Sequence, residues 1–263
     1  MNSDLVARTA QAVEIVEAAG RIGMNHFLRR DSLGIELKGH LDFVSEADRE
    51  VEVAIRDALA ASFPEDSIVG EEHAPAQGSS GFTWVIDPID GTANFVAGIP
   101  VWCVVLAGVE EGRTVVAAIH DPNSGETFSA WRGGGARLNG SPLHLAKQPG
   151  IGAGTVGVGA SNRSTRAGIL SVIGAILSEE GRFFRNASGA LALAYVAAGR
   201  LIGYVEQHMN AWDCLAGQLL VEEAGGSVEL QDADLMIAEG GRVVVGAPGV
   251  FAALVRIADA AYA

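Results

Sequence analysis

Five short runs of β-branched and aromatic residues in the first half of the chain constrain its fold more than any other feature. They lie at residues 67–69, 83–86, 101–109, 114–119 and 126–130, and Gly, Pro and Asn separate them. This texture predicts a sheet with hairpin-like turns. Two stretches with apolar residues at helical spacing precede it, the first ending before Gly34 and the second running from near Ser45 toward Pro64. Two helices therefore lead into a sheet.

The second half of the chain, after Gly150, alternates between the two kinds of pattern. Helical spacing recurs at residues 169–177, 190–198, 214–223 and 251–261, and short β-type runs lie at 201–205 and 243–245. No long Pro/Ser-rich linker and no repeat interrupts the 263 residues, and 49% of them are hydrophobic, so a large core can form. We expect a single α+β domain in which helices pack on two sheets rather than on one parallel sheet.

Two acids, Asp87 and Asp90, follow the apolar run that begins at Trp84. The proline between them restricts the turn, so both carboxylates can face one hard cation. Next come Gly91, which permits close backbone approach, and Thr92, whose amide would point outward if a helix begins there. A cap or a tight turn explains one acid alone. Two acids, a proline, a glycine and a threonine within six residues indicate a metal site beside a phosphate site.

Further acids extend this hypothesis. Glu71 and Glu72 follow the run at 67–69, and the ends of adjacent strands converge, so Glu71 or Glu72 can complete the oxygen shell of the cation. Asp213 follows Trp212 in the first turn of an apolar helix. The helix dipole by itself explains an acid there, but this carboxylate can also bind a second metal, as two-metal phosphoryl-transfer sites require.

The net charge of the chain is −14, from 32 acidic and 18 basic residues. This charge argues against a nucleic acid partner, and it means that a phosphate substrate needs metal ions to screen the receiving carboxylates. Cys103 and Cys214 lie in apolar surroundings and are expected to be buried free thiols in a reducing compartment. With no 18-residue apolar run and no signal-like N-terminus, we expect a cytoplasmic protein with no membrane partner.

Taken together, these segments resemble the inositol monophosphatase family, within the lithium-sensitive sugar phosphatases related to fructose bisphosphatase. The resemblance covers nearly the whole chain. It is carried by a series of segments in family order, namely residues 42–48, 70–72, 87–95, 138–140, 195–199, 212–213 and 222–226. It implies a layered αβαβα sandwich, a homodimer and a small-molecule phosphate monoester as substrate. It also implies that residues 1–149 form a metal- and phosphate-binding half and residues 150–263 a substrate-selecting half.

The resemblance also implies the ligands of two or three Mg²⁺ ions in the active site. One ion would be held by Glu71, Asp87 and the carbonyl of Ile89, and a second by Asp87, Asp90 and Asp213. One magnesium would activate a water at neutral pH while another stabilises the departing alkoxide, and no phosphoenzyme is required.

The same resemblance assigns the water- and phosphate-binding groups. Asp48 and Thr92 would orient the attacking water, with Glu71 beside them as a further catalytic residue. The amides of Gly91 and Thr92 would hold the phosphate.

The alcohol part of the substrate would be contacted by Asp90 and Glu206. The chain departs from the family pattern at Ile202, where an acid is common, and just before Trp212, where Ala211 stands. Both departures lie in the substrate-selecting half. The favoured reaction is hydrolysis of myo-inositol monophosphate. Histidinol phosphate, a nucleotide 3′-phosphate and fructose bisphosphate remain alternative substrates.

Two other classes of function compete with a phosphatase. Residues 152–157 match the glycine pattern of a dinucleotide-binding motif, but the segment also contains β-branched residues, which indicate a strand instead. A divalent-cation-binding regulatory protein would use the same acids. In such a protein, which only binds cations, Gly91 and Thr92 would have no function.

Overall fold

The computed structural model describes residues 3–29, 35–39 and 42–262, and for residues 35–45 it describes no side chains. The side chains of Val44 and Ser45, at the predicted start of the second helix, therefore lie outside the described part. The backbone of the described ranges forms eight α-helices and three sheets.

The first part of the chain builds three helices, a two-stranded ribbon and a seven-stranded sheet. The helices are α1 (Ser3–Phe27), α2 (Glu46–Ser62) and the short α3 (Thr92–Ala97), and the ribbon pairs β1 (Ile35–Gly39) with β2 (Asp42–Ser45). The sheet has its strands in chain order: β3 (Ser67–Gly70), β4 (Phe82–Asp90), β5 (Cys103–Glu110), β6 (Arg113–Asp121), β7 (Glu126–Trp131), β8 (Ala136–Leu138) and β9 (Ser141–Pro142). The predicted hairpin-connected sheet is confirmed for β4 to β9, which pair antiparallel.

The second part forms a five-stranded sheet in the order β11–β10–β12–β14–β13. Its strands are β10 (Thr155–Val158), β11 (Arg182–Phe184), β12 (Gly203–Met209), β13 (Ser227–Val228) and β14 (Gly241–Gly246). Five helices accompany them: α4 (Arg166–Ser178), α5 (Gly189–Ala197), α6 (Ala211–Glu223), α7 (Ala233–Glu239) and α8 (Phe251–Ala261).

Three hydrophobic cores show how these elements stack. The first lies between α1, α2 and the seven-stranded sheet, the second between the two sheets around α5 and α6, and the third between the five-stranded sheet and α4 with α8. Alternate residues of one strand enter different cores, as Val104 and Val105 of β5 do, because side chains alternate across a sheet. The layers are therefore α, β, α, β, α, and the predicted sandwich is confirmed.

The glycine-rich segment at residues 152–157 has the structure of a strand start. It leads into β10, which pairs in parallel with β11 and β12, and no α-helix opens on it. A dinucleotide fingerprint has the opposite context, since it follows a strand and opens a helix. Among the described residues, no helix has both the length and the apolar character needed to cross a bilayer.

Candidate active site

The two strands that carry the predicted acids lie side by side. β3 and β4 are parallel neighbours, with Gly70 paired to Ile86, so Glu71 follows directly beside Asp87. Asp87 does not end its strand, because β4 continues to Asp90. Asp87 pairs with Val105 and Asp90 pairs with Cys103, so β4 has one more residue than β5 over this interval. This extra residue forms a β-bulge that bends β4.

Three carboxylates meet at this bend. Each of Asp87, Asp90 and Asp213 offers one oxygen, and these oxygens lie within 4.8 Å of one another. Asp213 comes from the first turn of α6 and accepts hydrogen bonds from the backbone amide of Asn210, at 3.1 Å, and from its side-chain amide, at 3.2 Å. The fold thus brings together acids that are more than a hundred residues apart in the chain.

The electrostatics of this group favour a cation. Burial raises the pKa of Asp87 well above its ordinary value, and the charges of Glu71, Asp90 and Asp213 raise it further. The pKa of Asp213 is raised to about 7, first by burial and then by Asp90. Buried carboxylates that repel one another, with oxygen as the only donor atom, are the ligand set that a hard divalent cation prefers. The residues therefore fit Mg²⁺.

Asp90 is also the N-terminal cap of a helix from the other half of the chain. Its carboxylate accepts hydrogen bonds from the Ser188 hydroxyl at 2.5 Å and from the amides of Gly189 at 3.2 Å and Ala190 at 2.8 Å, and the Cys103 thiol lies 3.6 Å away. Burial raises the pKa of Asp90, while these hydrogen bonds lower it. The first amides of α5 would otherwise be without an intrahelical acceptor, so Asp90 joins the two halves.

Asp48 and Thr92 form a second polar pair beside the acids. The Thr92 hydroxyl lies 3.2 Å from Asp48 Oδ1 and 3.0 Å from the Ile89 carbonyl, and it can donate to either. The amide of Ile89 donates to Asp87 at 3.0 Å. These contacts connect the buried Asp48 of α2 to the bend in β4.

The chain turns into α3 at Gly91. Its φ of 96° lies in the left-handed region, and a Cβ there would approach the Val101 carbonyl to 2.9 Å. Only glycine fits this position without strain. As predicted, a helix begins next, at Thr92.

Glu206 lies outside the three-carboxylate group, on β12. It is buried and accepts a hydrogen bond from the Tyr204 hydroxyl at 2.6 Å. Its pKa is raised to about 7, mainly by burial and also by the charge of Asp213, while Tyr204 and Arg185 lower it. A Cβ at Gly159 would lie 2.0 Å from Glu206 Oε2, so the absence of a side chain there makes room for this carboxylate.

Sequence reasoning missed two residues that contact segments of the site: Ser188, which donates to Asp90, and Glu52, which accepts hydrogen bonds from the amides of Glu72 and His73. Ser188 precedes an apolar helix, which is an ordinary capping position, and no sequence signal pairs it with Asp90. Glu52 did carry a signal. It is an acid among the buried positions of α2, which recur at helical spacing as Asp48, Val51, Glu52, Ile55 and Leu59.

Comparisons with known proteins agree with the fold. The model of the inositol monophosphatase family matches residues 4–261. Nus factor SuhB of Escherichia coli K12 is 35% identical over 246 residues, which cover 92% of each chain. Among solved structures, extragenic suppressor protein suhB of Bartonella henselae has a TM-score of 0.89 at 30% identity, covering 97% of this chain and 98% of its own. An IMPase of Thermotoga maritima has a TM-score of 0.83 at 29% identity, with the same coverage.

Proposed function

The chain belongs to the inositol monophosphatase family and is a phosphatase, and we propose that it hydrolyses small phosphate monoesters with Mg²⁺, with myo-inositol monophosphate as the favoured substrate. One observation carries this proposal. The carboxylates of Asp87, Asp90 and Asp213 meet at a bend of β4 that adjoins the Thr92–Asp48 pair, so the proposed cation site and the proposed water-orienting pair are neighbours.

We assign the cation ligands as the sequence predicted them. Glu71, Asp87 and the Ile89 carbonyl would hold one Mg²⁺, and Asp87, Asp90 and Asp213 would hold a second, with two or three ions in all. The proximity of Glu71 to Asp87 supports this assignment, since its charge is the largest influence on the pKa of Asp87 after burial. Bound Mg²⁺ supplies an acidified water and stabilises negative charge on the leaving oxygen.

The remaining groups orient the reactants. Asp48 accepts a hydrogen bond from the Thr92 hydroxyl, which leaves the Thr92 oxygen able to accept a hydrogen bond from the attacking water. Glu71 is proposed as a further catalytic residue. The amides of Gly91 and Thr92, at the start of α3, would donate to the phosphate oxygens, as amides at a helix start do for anions.

Glu206 and Asp90 are proposed to contact the alcohol part of the substrate. A buried carboxylate next to a tyrosine hydroxyl accepts hydrogen bonds from polyol hydroxyls, or from an amine, and does nothing for the phosphate. Histidinol phosphate, a nucleotide 3′-phosphate and fructose bisphosphate are the alternatives, because each also offers donors to this carboxylate.

The test is a panel of these four substrate types assayed by phosphate release with Mg²⁺, with chelator, and with added Li⁺ or Ca²⁺. We expect the highest kcat/KM for myo-inositol monophosphate, no activity in chelator and inhibition by Li⁺. Ca²⁺ should also inhibit, because its longer bonds suit a tight magnesium geometry poorly. A higher kcat/KM for another member of the panel would replace the substrate, and turnover in chelator would exclude the metal mechanism.

We also propose a cytoplasmic homodimer. The edge strand β11 and the adjacent helix α4 expose four large apolar side chains, Leu170 (62%), Leu177 (54%), Phe183 (46%) and Phe184 (38%). An exposed sheet edge with apolar residues favours pairing with another chain. The buried free thiols of Cys103 and Cys214 suit a reducing compartment. Light scattering should give twice the chain mass, and a monomer at micromolar concentration would contradict the dimer.

The relatives named Nus factor SuhB support a second candidate function, that of a Nus factor acting without catalysis. A regulatory protein that only binds divalent cations belongs to the same class. Replacing the native copy in the host by Asp213→Asn separates the candidates. If the cellular role depends on phosphatase activity, the Asp213→Asn strain should show the phenotype of a deletion. If the role is non-catalytic, the Asp213→Asn strain should behave like the wild type. The expectation of no nucleic acid partner rests on net charge and stays a prediction.

A further inference from the structure

Glu52 of α2 is a fully buried carboxylate that is not one of the proposed metal ligands. It lies against the chain just after β3, where it accepts hydrogen bonds from the amide of Glu72 at 2.7 Å and from the amide of His73 at 3.2 Å. These are the two residues that follow Glu71, so Glu52 holds the backbone immediately next to a proposed metal ligand.

Arg56, one helical turn further along α2, completes the contact. Its Nε donates to Glu52 at 2.6 Å, and its Nη2 donates to the carbonyl of His73 at 3.1 Å. The His73 ring also approaches Glu52, with 3.4 Å between Nδ1 and Oε1. The carboxylate therefore binds the amides of this segment, the guanidinium binds its carbonyl, and the buried charge of Glu52 is balanced.

Gly70 is part of the same arrangement. It is the last residue of β3, and a Cβ on it would lie 2.2 Å from Glu52 Oε1. The strand can therefore come this close to the carboxylate only because residue 70 has no side chain. Glu71 is held from both sides, by the β3–β4 pairing before it and by Glu52 after it.

The position of α2 adds a geometric link. Asp48 and Glu52 lie one turn apart on its buried face, and Asp48 contacts Thr92. Residues at this spacing have Cβ atoms about 6 Å apart on a helix. One rigid turn of α2 thus contacts both the water-orienting pair and the Glu71 segment.

We propose that Glu52 is a positioning residue that sets the Glu71 carboxylate at the metal site without touching the metal, an inference that rests on the proposed function of Glu71. Groups that orient metal ligands typically change metal affinity about 10- to 100-fold when they are removed. Glu52 therefore determines cation affinity, while Asp48 and Thr92 orient the attacking water.

The test titrates Mg²⁺ into the full chain by calorimetry, and Mn²⁺ by electron paramagnetic resonance, for the wild type and Glu52→Gln. The variant should bind cation about 10- to 100-fold more weakly. The Mg²⁺ concentration for half-maximal activity should rise by the same factor, with kcat at saturating Mg²⁺ within a few-fold of wild type. Hydrogen exchange at the amides of Glu72 and His73 should also become faster.

Asp66→Asn is the matched control. Asp66 is a buried acid at the opposite end of β3 that also pairs with an arginine, Arg8, and accepts from two further donors, Ser80 Oγ at 2.7 Å and Trp84 Nε1 at 2.9 Å. It should lower the melting temperature while leaving cation affinity unchanged. Equal cation affinity in folded Glu52→Gln and wild type, or an equal loss in both variants, would overturn the proposal.

A second variant covers the case in which Glu52→Gln does not fold. Gly70→Ala keeps the charge of Glu52 but displaces its carboxylate, and it should weaken cation binding in the same direction. Wild-type affinity in folded Gly70→Ala would overturn the proposal. A wild-type chain that binds cation yet hydrolyses no monoester would instead exclude the proposed function, because the titrations do not depend on turnover.

Discussion

Two of the three clustered carboxylates are held in opposite ways. Asp90 belongs to β4, but three of its hydrogen-bond donors come from residues 188–190 at the start of α5, about a hundred positions along the chain. Asp213 is held by Asn210, three residues before it, at the start of its own helix. Asp90 is therefore a structural link between two layers as well as a proposed ligand, whereas Asp213 mainly presents a charge.

Because of this difference, an Asp→Asn substitution should have different effects on stability at the two positions. An asparagine has one acceptor oxygen and one donor group, so it satisfies donors on one side only. The donors at Asp213 reach a single oxygen, Oδ2, and one amide oxygen can replace it. The donors at Asp90 reach both oxygens, and an amide must leave at least one of them unsatisfied.

The largest effect is expected for Asp90→Asn, which should lose both activity and stability. We expect a loss of kcat on the order of 100-fold, as for removal of a main electrostatic group. The free energy of unfolding should also fall by about 1 to 3 kcal/mol, because a buried donor of α5 loses its acceptor. Steady-state kinetics and urea unfolding in chelator measure the two quantities. Wild-type stability would show that Asp90 does not join the halves.

Asp213→Asn should lose a similar factor in kcat, about 100-fold, without that loss of stability. In chelator its unfolding free energy should equal or exceed that of the wild type, because one of the repelling buried charges is gone while the contacts with Asn210 remain. The same two measurements apply. Near-normal kcat at saturating Mg²⁺ would show that Asp213 is not a metal ligand. A stability loss equal to that of Asp90→Asn would contradict the structural difference between the two positions.

The pH dependence of stability depends on Glu206 as well as on the clustered aspartates. Glu206 faces Tyr204, Arg185 and the charges of Asp213 and Asp90. The folded state raises the pKa of Glu206 from 4.5 to about 7. Its contribution to stability is thus complete below about pH 4.5 and is lost as the pH rises to 7, because the folded state retains the proton that the unfolded chain releases.

This contribution amounts to about 3 kcal/mol. Chemical unfolding in chelator at pH 5 and pH 7.5 should therefore show a smaller decrease in Glu206→Gln than in the wild type. An unchanged decrease would mean that the clustered aspartates alone cause it.

Glu206→Gln should separate substrate selection from chemistry. We expect KM for the natural substrate to rise by a factor equivalent to about 1 to 3 kcal/mol, the value of a charged hydrogen bond. An aryl phosphate that lacks the hydroxyl groups is the control substrate and should be nearly unaffected. Equal losses for both substrates would assign Glu206 to the metal site or the fold, and no loss for either would show that it binds no substrate.

The smallest effect is expected for Ser188→Ala, which removes one of the donors to Asp90 and leaves the two amides of α5 in place. The loss in unfolding free energy should be about 1 to 2 kcal/mol, less than for Asp90→Asn. Thermal unfolding of both single variants and the double variant gives the coupling between the residues. Additive losses would show that the hydroxyl does not act through Asp90.

Much of the fold could be predicted because it depends on local patterns. The last helix was expected at residues 251–261 and is observed as Phe251–Ala261, since apolar residues at helical spacing mark both its core face and its extent. The shortest strands, such as Ser141–Pro142 and Ser227–Val228, were not predicted. Two residues carry too little pattern to distinguish a strand from a turn.

By itself, the sequence determined the layered α+β fold, the family and the acids worth examining, because periodicity and closely spaced motifs are local properties of a chain. The tertiary structure alone decided how those acids are held. Glu52 meets the segment after Glu71 across a helix–sheet contact, and Asp90 caps a helix 98 residues away through Ser188. Such partners are chosen by packing between layers, and hydrogen bonds across layers leave no periodic trace in the sequence.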